Sequence, residues 1–130
     1  MSFQPALVER LATNLKRNGF QVHYRVVPEL AGSTTSEALY AIADPGSVVL
    51  AASPEEPRAH SLLPEVHVTL VTEDRVLADL DELLARVAGQ LPSALAIVTG
   101  PSRSADIEQI LALGVHGPRE EHVVIMPPAG

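Results

Sequence analysis

Apolar positions along the chain follow two spacings, and the switches between them mark its elements. From Pro5 to Arg17, Leu7, Val8, Leu11 and Leu15 fall on one face, with Glu9, Arg10 and Lys16 elsewhere. That spacing predicts a helix, stopped at Asn18-Gly19 because glycine takes the left-handed cap conformation. Phe20 to Val27 is predicted as a strand ending at Pro28. Glu29 to Ser36 (ELAGSTTS) is polar and turn-rich. Its hydroxyl run, Ser33 to Ser36, reads either as an anion cradle or, more commonly for such a run, as an exposed connection. Ala38 to Ala43 and Ser47 to Ala52 are predicted as short strands around a tight turn at Asp44-Pro45-Gly46, and their direct pairing would make an antiparallel hairpin.

Farther on, Ser53 to Pro57 is an acidic loop and Arg58 to Leu63 a helical turn before Pro64. Val66 to Val71 is β-branched and predicts a strand. Leu80, Leu83, Leu84, Val87 and Leu91 form one helical stripe, with Asp79 and Glu82 spaced as a capping box and Gly89 or Pro92 as the stop. Ala94 to Thr99 and Val123 to Met126 are further strands. Between them Ser104 is placed to cap a helix over Ala105 to Leu113, with Ile107, Ile110 and Leu111 inward and Gly114 ending it. Strands alternating with helices predict an α/β fold with a mainly parallel sheet.

Composition narrows the function classes. The 130 residues suffice for one domain with a real core, and 46% hydrophobic content excludes a disordered chain. Sixteen acidic against nine basic residues give a net charge of −7, which opposes nonspecific nucleic-acid binding. The chain has no cysteine, hence no disulfide and no thiolate ligand for an iron–sulfur cluster. Charges at Glu9, Arg10, Lys16 and Arg17 interrupt the apolar pattern of the N-terminal segment. It therefore reads as neither signal peptide nor membrane span, and a cytoplasmic protein is expected.

Polar chemistry and breaker residues are densest from Val98 to Arg119 (VTGPSRSADIEQILALGVHGPR). If Ala94 to Thr99 is a parallel strand, Gly100 to Ser104 lies at its carboxyl edge, where such sheets bind ligands. Gly100 would permit close approach, while Ser102, Arg103 and Ser104 offer donors beside a helix N-terminus for a phosphate, carboxylate or nucleotide. Asp106 and Glu108 in the first turn would oppose an anion there. A structural turn with Arg103 paired to a carboxylate is the alternative. His116, between Gly114 and Gly117, is the candidate functional imidazole, with a backbone-bonded loop histidine as the alternative. His60 and His67 flank SLLPEV, and no histidine spacing suggests a metal site. A serine hydrolase elbow, G-x-S-x-G, is absent.

The segment GPSRSADIE followed by GVHGPRE resembles the lactate-utilisation (LUD domain) family, most closely its C-type subunit. The corresponding motif there is similar to GPSRTADIE, so Ser104 stands for Thr. A second block, Arg58, Ser61, Leu62, Leu63, Pro64 and His67, matches the pattern RAxSLLPxxH. The resemblance covers Tyr40 to Met126, within a single domain over 1–130 whose first 36 residues are divergent or shortened. It implies a three-layer α/β/α fold similar to the NagB/RpiA/CoA-transferase group. It further implies an accessory role in oxidising L-lactate to pyruvate, without a cluster on this chain and with cysteine-rich and iron–sulfur partner subunits. Gly100, Ser102, Arg103, Ser104, Asp106, Glu108, His116, Arg119 and Arg58 are the candidate ligand-binding residues, with His116 the catalytic candidate. Two departures stand out: Ala43 to Ser47 replaces an AETGT-like stretch, and the chain is short between Val27 and Tyr40. A missing βα unit there would leave an open sheet edge, favouring a homo-oligomer or an obligate partner. The other readings are a stand-alone α/β protein or enzyme binding an anionic metabolite through Arg103, Arg58 and His116, and a degenerate copy that keeps only the scaffold.

Overall fold

In a computed structural model of the chain, residues 4–51, 66–88, 95–100, 103–106 and 120–128 are described, with 103–106 as backbone only. Helix α1 spans Pro5–Arg17, the range its apolar spacing predicts. Pro5 opens it, where the missing N–H costs nothing, and Lys16 and Arg17 sit in the last turn, where the helix dipole favours cations. Gly19 follows at φ +101, and the amides of Gly19 and Phe20 donate to the carbonyls of Lys16 (3.1 Å) and Leu15 (2.9 Å). These two bonds make a Schellman cap, and Phe20 and Leu15 are buried together beneath it.

The strands form two sheets. The first contains β1 (Gln21–Tyr24), β2 (Ser33–Glu37), β5 (Val66–Thr72) and β9 (Glu120–Met126), in the order β1-β9-β5-β2 with every pair parallel. The second contains β3 (Tyr40–Ile42), β4 (Ser47–Ala51), β6 (Val76–Leu77), β7 (Leu95–Gly100) and β8 (Arg103–Asp106), in the order β6-β3-β4-β7-β8. Only β3 and β6 are parallel there; the other three pairs are antiparallel. The α/β class with a parallel sheet therefore stands, and so does the predicted β3–β4 hairpin. A short 3-10 turn, Glu73–Arg75, carries the chain from β5 in the first sheet to β6 in the second.

Period-2 alternation distributes the strands between two cores. Ala41, Val48 and Val98 of the second sheet, with Ala43 just past β3, join Val71, Val123 and Ile125 of the first around Val8, Leu11, Ala12 and Leu15 of α1. Their neighbours Ile42, Val49, Leu77 and Leu95 face the other way, onto Leu83 and Val87 of α2 (Leu80–Val87). Asp79 caps α2 by accepting from the Glu82 amide at 2.9 Å, as its spacing predicts. The returning bond from Glu82 goes one residue upstream, to the Ala78 amide at 2.8 Å.

Several sequence expectations change. Ser33 to Ser36 is not a connection; it lies in β2, held in the sheet by its ladder with β5. Among the described residues β2 pairs with β5 alone, so the stretch between Val27 and Tyr40 does supply a sheet edge. Leu80 and Leu84 of the predicted stripe are about half exposed, because α2 presents only Leu83 and Val87 to the sheet. The helix proposed from Ala105 does not begin there: Ser104 and Ala105 are extended and pair with Val98 and Ile97. The rest of that helix, the Ser53–Pro57 loop, the Arg58–Leu63 turn, and Gly89, Leu91 and Pro92 lie outside the described residues.

Candidate functional site

The two sequence blocks that stood out, RAHSLLPEVH and GVHGPRE, lead into β5 and β9, and those strands are neighbours in the first sheet. Register sets Val66 beside Glu120 and His67 beside Glu121 at the amino ends of the pair. Alternation then divides the polar residues between two faces. His67, Thr69 and Glu121 share the face that continues into the apolar core through Val71, Val123 and Ile125. Glu120 and His122 occupy the opposite face.

On the first face three side chains from three adjacent parallel strands are bonded in sequence. His67 Nδ1 lies 3.1 Å from Glu121 Oε1, and His67 Nε2 lies 2.8 Å from Ser36 Oγ. The His67 and Glu121 side chains are 4% and 2% exposed, whereas Ser36 on the edge strand is half-buried. With the Glu121 carboxylate as acceptor, Nδ1 is the donor, and in the neutral ring Nε2 then accepts from the Ser36 hydroxyl. Thr69, the register partner of Ser36, is fully buried, and its hydroxyl oxygen has no hydrogen-bond partner among the described residues. A buried hydroxyl left unpaired is costly, and Thr72 Oγ1 on the same strand shares that condition.

The second face carries another chain of bonds. His122 Nε2 is 3.0 Å from Glu120 Oε1, and His122 Nδ1 is 2.8 Å from His23 Nε2 on β1. If Glu120 fixes the proton on Nε2 of His122, Nδ1 is the acceptor and His23 the donor. The two rings stack with centroids 5.1 Å apart. The His23 pKa is lowered below 6.5, first by desolvation on burial and then by His122.

Open parallel sheets commonly bind ligands beyond their carboxyl ends. At that end of β5 a cavity of about 130 Å³ is lined in part by Glu73, Asp74, Glu82 and Arg86. Glu73 also receives Arg25 at 3.5 Å. Three carboxylates against one arginine in the lining disfavour an anion there, and no metal-capable group occurs among the described residues.

Of the residues predicted as a site, Gly100, Arg103, Ser104 and Asp106 are brought together on the β7–β8 hairpin. This hairpin belongs to the second sheet, apart from the Ser36–His67–Glu121 row. Two premises of the predicted anion cradle fail. Strand β7 is antiparallel to both neighbours, and Ser104 is a strand residue, not a helix cap. Asp106 is likewise in a strand and not in a first helical turn. Gly100 meets its predicted close approach, but to protein: at φ +152, a Cβ there would stand 2.3 Å from the Asn18 carbonyl oxygen. Asn18 is itself fixed, its side-chain amide donating to the carbonyls of Pro45 (2.8 Å) and Gly46 (2.9 Å). The Asp44-Pro45 peptide of that turn is cis. Ser102, Glu108, His116, Arg119 and Arg58 lie outside the described residues.

Sequence reading named Ser36 only within the Ser33 to Ser36 run, as an anion cradle or a connection, and missed Glu121, Glu120, His122 and His23. For Glu120–His122 the signal was available: a Glu-Glu-His run entering an apolar strand puts ionisable groups on both faces of a sheet. Nothing local ties Ser36 to His67, which are 31 residues apart.

Comparison with known proteins adds the family context. The LUD domain family model matches residues 30–126. Lactate utilization protein C of Bacillus licheniformis is 35% identical over 101 residues, covering 73% of this chain and 41% of that protein. The protein of the same name from Geobacillus kaustophilus is 34% identical over 91 residues, covering 65% and 38%. The uncharacterized protein YkgG of Escherichia coli K12 is 40% identical over 87 residues, covering 62% and 38%. The chain thus spans about two fifths of the length of these curated relatives. The crystal structure of a DUF162 family protein from Deinococcus radiodurans shares the fold, with a TM-score of 0.65 at 18% identity over 93% of this chain and 96% of that one.

Proposed function

Because this chain belongs to the LUD domain family, we propose that it is an accessory component of a system that oxidises L-lactate to pyruvate. The observation that carries this reading is its similarity to lactate utilization protein C from several bacteria. Oxidation of the 2-hydroxyl to a keto group releases two electrons and two protons, which something must accept. This chain has no cysteine, so it offers no thiolate ligand for an iron–sulfur cluster. On this reading the clusters belong to cysteine-rich partner subunits, and this chain contributes binding surface. The segment from Gly100 to Arg119 is the candidate for that surface, with Arg103, His116 and Arg58 as the polar side chains to test by substitution. A cytoplasmic location and assembly through the open β2 edge belong to the same proposal; no helix among the described residues is long and apolar enough to cross a membrane.

Deletion of the coding sequence from its host, followed by growth on L-lactate as sole carbon source, tests the role. Growth should fail and return on complementation, and tagged protein should co-purify with iron–sulfur subunits. Undiminished growth on lactate would sink the proposal.

A further inference from the structure

We propose that Ser36, His67 and Glu121 form an acyl-transfer centre, with Ser36 the nucleophile, His67 its general base and Glu121 the group that orients the imidazole. The proposal is independent of the lactate role and rests on geometry alone. Nucleophilic serine catalysis needs a hydroxyl bonded to one imidazole nitrogen and a carboxylate bonded to the other. The distances here, 2.8 Å and 3.1 Å, meet that requirement. The order of burial also fits. The base and its carboxylate are enclosed, which fixes tautomer and ring orientation, while Ser36 is half-buried on an edge strand. Such an arrangement does not need a G-x-S-x-G elbow, because the strand ladder between β2 and β5 positions the hydroxyl instead.

The Thr69 hydroxyl completes the set. It is buried, has no partner among the described residues, and belongs to the residue in register with Ser36. A donor held without an acceptor beside the nucleophile suits the oxyanion that develops during acyl transfer. The substrate class is an activated acyl ester. Ser36 Oγ attacks the carbonyl carbon and its proton passes to His67 Nε2. Collapse of the tetrahedral intermediate breaks the ester C–O bond, and the leaving alcohol takes the proton from His67, giving acyl-Ser36. Water then repeats the cycle: its oxygen bonds to the carbonyl, its proton goes to His67 and on to Ser36, and a carboxylic acid leaves.

The purified full chain should be incubated with a fluorophosphonate probe and with p-nitrophenyl acetate. Labelling is expected at Ser36, located by peptide mass, and absent in Ser36→Ala, which leaves the His67–Glu121 pair intact. His67→Gln should slow labelling by about 100-fold, the scale of a lost general base. A second variant guards against misfolding of that one. The chain has no cysteine, so Ser36→Cys introduces a single thiol. Iodoacetamide should alkylate it faster than free cysteine at neutral pH, since His67 favours the thiolate. No probe on Ser36, labelling spread over several serines, or a thiol that reacts no faster than free cysteine would each overturn the proposal.

Discussion

Replacing Gly100 by alanine tests the contact that joins the start of the GPSRS segment to the end of α1. The new Cβ would stand 2.3 Å from the Asn18 carbonyl oxygen, closer than Cβ atoms approach any neighbour. The obstacle is backbone, so no rotamer change relieves it. Shifting Asn18 would disturb its bonds to Pro45 and Gly46, which tie the helix to the β3–β4 turn. Placing an L-residue at positive φ costs about 1–2 kcal/mol, and overpacking of this kind about 1–3 kcal/mol more. The expected loss is therefore about 2–5 kcal/mol. Gly32→Ala is the control, because Gly32 also has positive φ (+75) but nothing within 4 Å of the added atom. It should show the conformational part alone, about 1–2 kcal/mol. Urea unfolding followed by circular dichroism measures both. With m of about 1–3 kcal/mol/M, the Gly100→Ala midpoint should fall clearly further than that of Gly32→Ala. Equal losses, or a Gly100→Ala loss below about 1 kcal/mol, would refute the close approach.

Three further outcomes follow from the same packing and electrostatics. Leu83 is fully buried and Leu84 is 47% exposed, so Leu83→Ala should cost about 2–5 kcal/mol and Leu84→Ala much less, read from thermal melts. Asp79→Ala removes the α2 cap and should lower stability by about 1 kcal/mol; a change confined to experimental error would mean the cap is not formed in solution. Since the His23 pKa is lowered in the fold, the unfolded chain binds more protons between that value and 6.5. This group's contribution to stability therefore falls as pH drops below 6.5, and His23→Gln should flatten that part of the stability–pH curve in urea titrations. Matching curves for the two proteins would count against the lowered pKa.

Much of the chain's local structure was written in the sequence because local chemistry had no competitor there. Helix α1 has an apolar face, a proline at its start and Asn18-Gly19 at its end, all pointing to one answer, and its predicted bounds match. Strand β5 was legible from its β-branched run, and the β3–β4 hairpin from Asp44-Pro45-Gly46. Strand β2 was not, since serine and threonine beside a Gly-Ser pair read as a loop; only its ladder with β5 makes it a strand. At Ser104 local cap signals favoured a helix, and pairing with β7 prevailed there because each ladder bond satisfies a backbone group that a lone cap leaves open.

The sequence by itself determined the α/β class, the limits of α1, the absence of any thiolate chemistry, and the two motif blocks that resemble the LUD domain family. Tertiary structure decided what those blocks touch. It set β7 antiparallel, which removes the parallel-strand edge on which the predicted anion cradle depended. It placed β5 beside β9 and β2 beside β5, which bonds Ser36, His67 and Glu121 in one row. The physical reason is that hydrophobic periodicity fixes which face of an element is buried, whereas strand order and register, settled by long-range pairing, fix which polar groups on that face meet.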